Sequence, residues 1–326
     1  MRRLLALVAV LVLVPAAPAH AAPEDTVTWT VQPATPGGPD GRRWIERTLD
    51  PGQAVTEHLA VRNFGDTTAV FALKAADGYL TDKGRFNMLP SDRASVDGGT
   101  WVAVQPTVRV GAKETVVVPF TITAPAGATP GDHPAGIAAT VTSAGGQVNV
   151  ESRVGFRLML RASGTPAATL SVTGLTTSYE RSWNPFRPGR AHVTYTVTNT
   201  GNVWLSGQGR VSAGGGSATA DVGELLPKGT HQADVRVGGV WPFGRVRTTV
   251  TLTPVVLGDT GAGPVAANTV TTTATAWALP WSQLLLLAAL VGLVFALRNQ
   301  RRTRRRRLDA MLDHARAEGR ESALRG

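Results

Sequence analysis

The chain is predicted to be all-β between its ends: two tandem immunoglobulin-like antiparallel β-sandwiches, followed by one C-terminal transmembrane helix. Three observations predict this. Period-two alternation of apolar and polar residues fills the stretch from Pro23 to Ala276, and helical periodicity is nearly absent there. The turn motif V-x-N-x-G-[DN] occurs twice, at Asn63, Gly65, Asp66 and again at Asn199, Gly201, Asn202. A run without charge, Trp277 to Leu297, is followed by seven arginines between Arg298 and Arg307.

Residues 1–21 have the layout of a secretory signal. Arg2 and Arg3 supply the positive region, Leu4 to Val14 the apolar run, and Ala19 and Ala21 the small residues before cleavage. Pro15 and Pro18 break the run, which is too short to span a bilayer.

The first module covers 24–163. In "TVVVPFTITAP", Val116, Val118, Phe120 and Ile122 share one face of a strand. Further on, Val148, Val150, Val154, Phe156, Leu158 and Leu160 share a face, with Arg153, Arg157 and Arg161 opposite. Side chains alternate across a pleat, so each run is expected to bury one face and wet the other.

Gly164, Thr165 and Pro166 form the expected seam, and the second module covers 166–276. In "RVRTTVTLTP", Val246, Val250 and Leu252 point inward and Arg247, Thr249, Thr251 and Thr253 outward. Both modules share a plan: a Pro-Gly turn (Pro51 and Gly52; Pro188 and Gly189), a strand, then the N-x-G turn. The spacing is 11 residues from Gly52 to Asn63 and 10 from Gly189 to Asn199. Asn bonds to nearby backbone, and Gly reaches positive φ without a Cβ penalty, so Asn63, Gly65, Asn199 and Gly201 are structural turn residues.

The membrane span is placed at 279–297, about 28 Å at helical rise, which matches a hydrocarbon core. Trp277 and Trp281 fall where interfacial aromatics are expected, and Arg298, Arg301 and Arg302 at the opposite interface. The basic tail 298–326 is then cytoplasmic, and the protein is a single-pass type I protein of the cell membrane with an extracellular ectodomain. The net charge of +10 and pI near 11 come mostly from the tail and the signal. Charge placed for topology argues against nucleic acid as a partner.

No catalytic or metal-binding constellation stands out, so no enzyme activity and no cofactor are expected. There is no cysteine, and the six histidines are scattered without H-E-x-x-H or paired spacing. His58 and His192 sit on matching strands of the two modules. "DGYLTDKGRFN" lacks the alternating acids of a calcium loop. "LPKGT" is a turn inside a module. Candidate ligand contacts are Trp44 and Trp101, flat indoles near polar, Gly-rich segments, with Asp77 and Tyr79 in the polar loop Asp77–Ser95. For each Trp the alternative is a place in a sandwich core or as a strand-end plug. No motif specifies an oligomeric state.

Three stretches of the first module stand out together: "TLDPGQAVTEHLAVRNFGDTTAVFALKAADGYLTDKGRFN", the isolated Trp101, and "ETVVVPFTITAPAGATPGDHPAGIAATV" with Ala135, Gly136 and Ile137. In this order they make the module resemble the DUF916 domain, the peptidoglycan-binding domain of WxL-interacting proteins from Gram-positive bacteria. The resemblance covers about residues 27–143. The family plan has a signal, two β-sandwiches, one membrane helix and a short basic tail, and the order of parts here is the same. The second module, rich in Gly and Thr, departs from the family's partner-binding domain. The resemblance implies a membrane-anchored binding or scaffold protein of an actinobacterial-type surface, contacting peptidoglycan or a WxL-like wall-associated protein. The alternative is an extracytoplasmic sensor signalling through its tail.

Overall fold

The structure is a computed structural model and describes residues 27–145, 148–258 and 268–323. The signal expected over 1–21 therefore lies outside the described residues, as do the side chains of Val148 and Val150.

The first sandwich is built from β1 (Trp29–Thr35), β2 (Gly38–Pro39), β3 (Ile45–Leu49), β4 (Ala54–Asn63), β5 (Ala69–Leu80) and β6 (Phe86–Met88). It continues through β7 (Val102–Val104), β8 (Thr107–Val110), β9 (Thr115–Thr123), β10 (Gly131–Gly145) and β11 (Val148–Ala162). One sheet has the order β2-β1-β4-β9-β7; the other runs β3-β11-β10-β5-β6, with β8 also on β5. Alternation places Val118, Phe120 and Ile122 of β9 inward, against Phe71, Ile137 and Leu158 from the facing sheet. One pairing departs from an antiparallel plan. β3 runs parallel to β11, from Ile45 beside Leu158 to Leu49 beside Ala162.

The second sandwich is built from β12 (Leu170–Glu180), β13 (Gly189–Asn199), β14 (Leu205–Ala213), β15 (Gly216–Thr219), β16 (Val222–Leu225), β17 (Thr230–Val240), β18 (Gly244–Val256) and β19 (Val270–Ala278). Its sheets are β12-β13-β17 and β15-β14-β18-β19, with β16 also on β14. Val193, Tyr195 and Val197 of β13 pack against Val246, Val250 and Leu252 of β18 in a second core.

The repeated motif forms the same corner in both sandwiches. Asn63 Nδ2 donates to Thr67 O (2.8 Å), Gly111 O (3.0 Å) and Val110 O (3.3 Å), while its Oδ1 accepts from Gly65 N (2.8 Å). Asn199 Nδ2 donates to Val203 O (2.8 Å) and Leu225 O (3.1 Å), while its Oδ1 accepts from Gly201 N (2.9 Å). Both amides are buried, where every unmet donor or acceptor is costly. Beside each corner a lysine takes up a left-handed backbone: Lys113 at φ 55° and Lys228 at φ 63°.

The helix α1 spans Trp281–Ala323 and is long and apolar enough to cross a membrane. The expected span 279–297 falls within this helix apart from Leu279 and Pro280, and the helix continues beyond it. Trp277 lies on β19, and Pro280 stands just before the helix, where its missing N–H is harmless. Arg is a good helix former, so the arginine run prolongs the helix instead of ending it.

Candidate functional site

The outward face of β11 was expected to be wet. Instead the second sandwich covers the C-terminal part of it, from Arg157 to Arg161. Arg161 and Met159 are buried and Arg157 is half-buried, because a joint between the two sandwiches closes over them. Met159 packs with Trp204 and Leu226 of the second sandwich, and Trp44, Leu80 and Leu257 flank them.

A bidentate ion pair lies at the centre of the joint. Arg161 Nε donates to Asp132 Oδ1 (2.5 Å) and Nη2 to Oδ2 (2.7 Å). The same carboxylate accepts from the Trp204 backbone N–H across the joint (2.5 Å). Fork-on-carboxylate geometry fixes orientation as well as distance. Arg157 reaches Glu224 at 2.9 Å, and its guanidinium lies 4.2 Å from the Trp44 ring and 5.0 Å from the Trp204 ring.

Asn202, last residue of the second corner, completes the joint. Its Nδ2 donates to Pro130 O (2.9 Å) and Thr165 O (3.1 Å), its Oδ1 accepts from Ala167 N (2.7 Å), and its carbonyl accepts from Asp132 N (2.7 Å). Gly131, at φ +123°, passes so close that a Cβ would stand 2.2 Å from Asn202 O. The seam is therefore bound to both sandwiches.

Beside the joint opens a cleft of about 620 Å³. Its first wall is Gly78 to Asp82 with Asp97, Thr129 and His133; its second wall is Gly201, Asn202, Glu224 and Leu226 to His231. His133 Nδ1 contacts Asp97 Oδ1, Nε2 lies 2.8 Å from Thr129 O, and the ring sits 4.4 Å from the Trp101 ring. Burial pushes the imidazole pKa down. The Asp97 hydrogen bond, the Thr129 carbonyl and the charges of Asp97 and Asp132 outweigh that, and the net shift is upward from the ordinary 6.5.

The four candidate ligand contacts part company here. Tyr79 lines the cleft and is 39 % exposed, its hydroxyl accepting from Asn87 Nδ2 at 3.3 Å. Trp101 is 5 % exposed and belongs to the first core, so its ring is closed to a ligand. Asp77 is a structural latch. Its Oδ2 accepts from Val96 N (2.7 Å) and Asp97 N (3.0 Å), and its Oδ1 from Gly99 N (2.7 Å). Trp44 is spent on the joint, stacked on Arg157 with Nε1 donating to Glu46 Oε1 (2.5 Å). Proximity to polar segments suggested Trp44 and Trp101, but long-range packing took both.

Asp132, His133 and Lys228 were not singled out from sequence, and Arg157, Arg161 and Asn202 were read only as an outward strand face and a turn. One signal was present: Met159 interrupts an outward face that otherwise carries three arginines. An apolar residue on a face expected to be wet marks a covering partner. Among the described residues no group of three His, Asp or Glu side chains gathers as for a metal.

No protein-family model matches the chain, and no curated protein does. Several solved structures are similar over most of its length. The YadV chaperone is 13 % identical with a TM-score of 0.34, covering 76 % of this chain and 99 % of that one. The Pseudomonas aeruginosa CupB2 chaperone is 14 % identical at 0.31, covering 71 % and 97 %. The class 5 fimbriae chaperone CfaA is 9 % identical at 0.37, covering 75 % and 99 %.

Proposed function

We propose that the chain is a membrane-anchored cell-surface binding protein of the DUF916 type. It presents the cleft between its sandwiches to peptidoglycan or to a WxL-like wall-associated protein, and it performs no catalysis. The joint carries this reading. The Asp132 carboxylate, set by Arg161 and accepting from the Trp204 N–H, and Asn202, bonded to both sandwiches, hold the two walls in fixed relation, so the cleft is formed before any ligand arrives. Its chemistry suits a polar, carbohydrate-bearing or peptide ligand. Tyr79 offers a flat ring, Lys228 offers a cation, His231 offers ring nitrogens for hydrogen bonds, and glycines let a backbone approach closely. The helix α1 would anchor the protein, ectodomain outside.

Binding to purified peptidoglycan, measured with the full chain in detergent, tests the reading. Wild type is expected to be retained, and Tyr79→Ala and Lys228→Glu are each expected to lower retention about tenfold, the size of a lost contact near 1.4 kcal/mol. Equal retention of the variants removes the cleft from the account. No retention above that of an unrelated sandwich removes the wall ligand.

The unbroken course of α1 from Trp281 to Ala323 favours a second reading, a sensor whose helix transmits strain inward. Deleting 308–326 separates the two: a sensor loses its output, whereas an anchor keeps its binding.

A further inference from the structure

The joint and the helix lie at opposite ends of the second sandwich. At the helix end, Glu180 pairs with Arg190, Gly189 with Val240 and Gly244 with Ala278. Register therefore brings three segments to one level: the loop 181–188, the tight turn 241–243 and the approach to α1. All three carry exposed aromatics. Trp183 is 70 %, Phe186 77 % and Phe243 86 % exposed, and Trp241, Trp277 and Trp281 stand beside them. Six exposed aromatics carried at one end of a domain are apolar surface of the kind that marks an interaction site.

The patch is built rather than loose. Phe186 N donates to Asn184 Oδ1 (2.9 Å), and Phe243 N to Trp241 O (3.0 Å), with a proline inside each loop. Trp241 and Phe243 stack at 6.3 Å. Gln283, in the first turn of α1, donates to Pro185 O at 3.0 Å and so fixes the loop at the height where the helix begins. Cations accompany the rings: Arg181 lies 4.6 Å from the Trp183 ring and Arg245 5.8 Å from Trp277.

We propose that this end of the second sandwich sits on the bilayer that α1 crosses, with Trp183, Phe186 and Phe243 seated at the headgroup–acyl boundary and the adjoining arginines on lipid phosphates. The occupant follows from continuity. If α1 spans, its first turn is at the interface, and the hydrogen bond to Pro185 holds the aromatic loop at the same level. Trp at that depth is favoured because one end of the ring is apolar and the other wet, and Arg finds anionic headgroups there. The inference rests on the membrane-anchor reading. It adds that the ectodomain stands upright on the membrane instead of swinging from it.

The chain has no cysteine, so single cysteines can report depth without background. Nitroxide-labelled Phe186→Cys, Phe243→Cys, Leu290→Cys and Val96→Cys, each in the full chain, are placed in nanodiscs of phosphatidylcholine and phosphatidylglycerol. Collision with oxygen is compared with collision with a water-soluble nickel complex. Labels at 186, 243 and 290 are expected to favour oxygen several-fold over the label at Val96, which projects into water from the first sandwich. A label at 186 or 243 that behaves like Val96 overturns the proposal, provided 290 is immersed; a wet 290 overturns the anchor reading itself. Labels at 186 and 243 shielded from both reagents mean that protein, not lipid, covers the patch, and also overturn it. The unmodified chain gives a parallel reading that requires no cysteine. Bromine-labelled acyl chains are expected to quench its tryptophan emission, and Trp183→Phe to reduce the quenched fraction; an unchanged fraction counts against seating.

Discussion

Asn63 and Asn199 close their corners with matching bonds, each beside a left-handed lysine, yet the residue ending each motif meets a different fate. Asp66 is fully in solvent, paired only with Lys113 at 2.9 Å among the described residues. Asn202 is half-buried where the seam meets β10, and serves both sandwiches. The neighbouring glycines differ too. A Cβ on Gly65 would stand 3.0 Å from the Asn63 side chain, whereas one on Gly201 would stand 2.0 Å from the backbone oxygen of Ala167. The same local device therefore serves as a plain turn in one sandwich and as half of a joint in the other. Location in the chain makes the difference: the second corner faces a neighbouring domain and the first faces water.

The largest effect is expected where the second corner meets the first sandwich. Arg161→Met should cost about 3 kcal/mol, because it leaves the Asp132 carboxylate buried without its guanidinium. In denaturant the two sandwiches should then unfold in separate transitions, followed by tryptophan fluorescence. A single unshifted transition would show that the Arg161–Asp132 pair is not what couples them.

A smaller effect sharpens the comparison directly. Asn202→Ala should cost about 2 kcal/mol for its side-chain bonds, while Asp66→Ala should cost less than about 0.5 kcal/mol, as exposed pairs do. Equal losses, read from urea midpoints, would mean that the two corners are equivalent after all.

The smallest effect is a pH dependence beside the joint. The folded pKa of His133 is raised, so its protonated form is favoured by folding. That stability is fully present below the unfolded value of about 6.5 and is lost as pH rises through the raised folded value. Thermal midpoints should therefore fall as pH is taken from below 6.5 into the mildly alkaline range, beyond any fall seen in His133→Gln. Parallel profiles for the two proteins would exclude His133 as the source.

Much of the fold was legible because its signals are local. Val118, Phe120 and Ile122 alternate with polar residues, and a pleat can bury them in one way only. Asn63 and Asn199 announce their corners through turn chemistry. The site was legible only in part. Tyr79 lines the cleft, but Trp44, Asp77 and Trp101 have other employment, in the joint, the latch and the core. Nothing in a window of ten residues distinguishes an indole stacked on an arginine of the same sandwich from one left open to a ligand.

By itself the sequence determined the strands, the two corners and the apolar helix, since each depends on neighbours a few residues away. Only the tertiary structure decided which faces stay wet, that β3 lies parallel to β11, and that Asp132, Arg161 and Asn202 converge. Those outcomes depend on contacts between residues tens of positions apart. Alternation determines that a strand has two faces; what comes to rest on the second face is settled by the packing of whole domains.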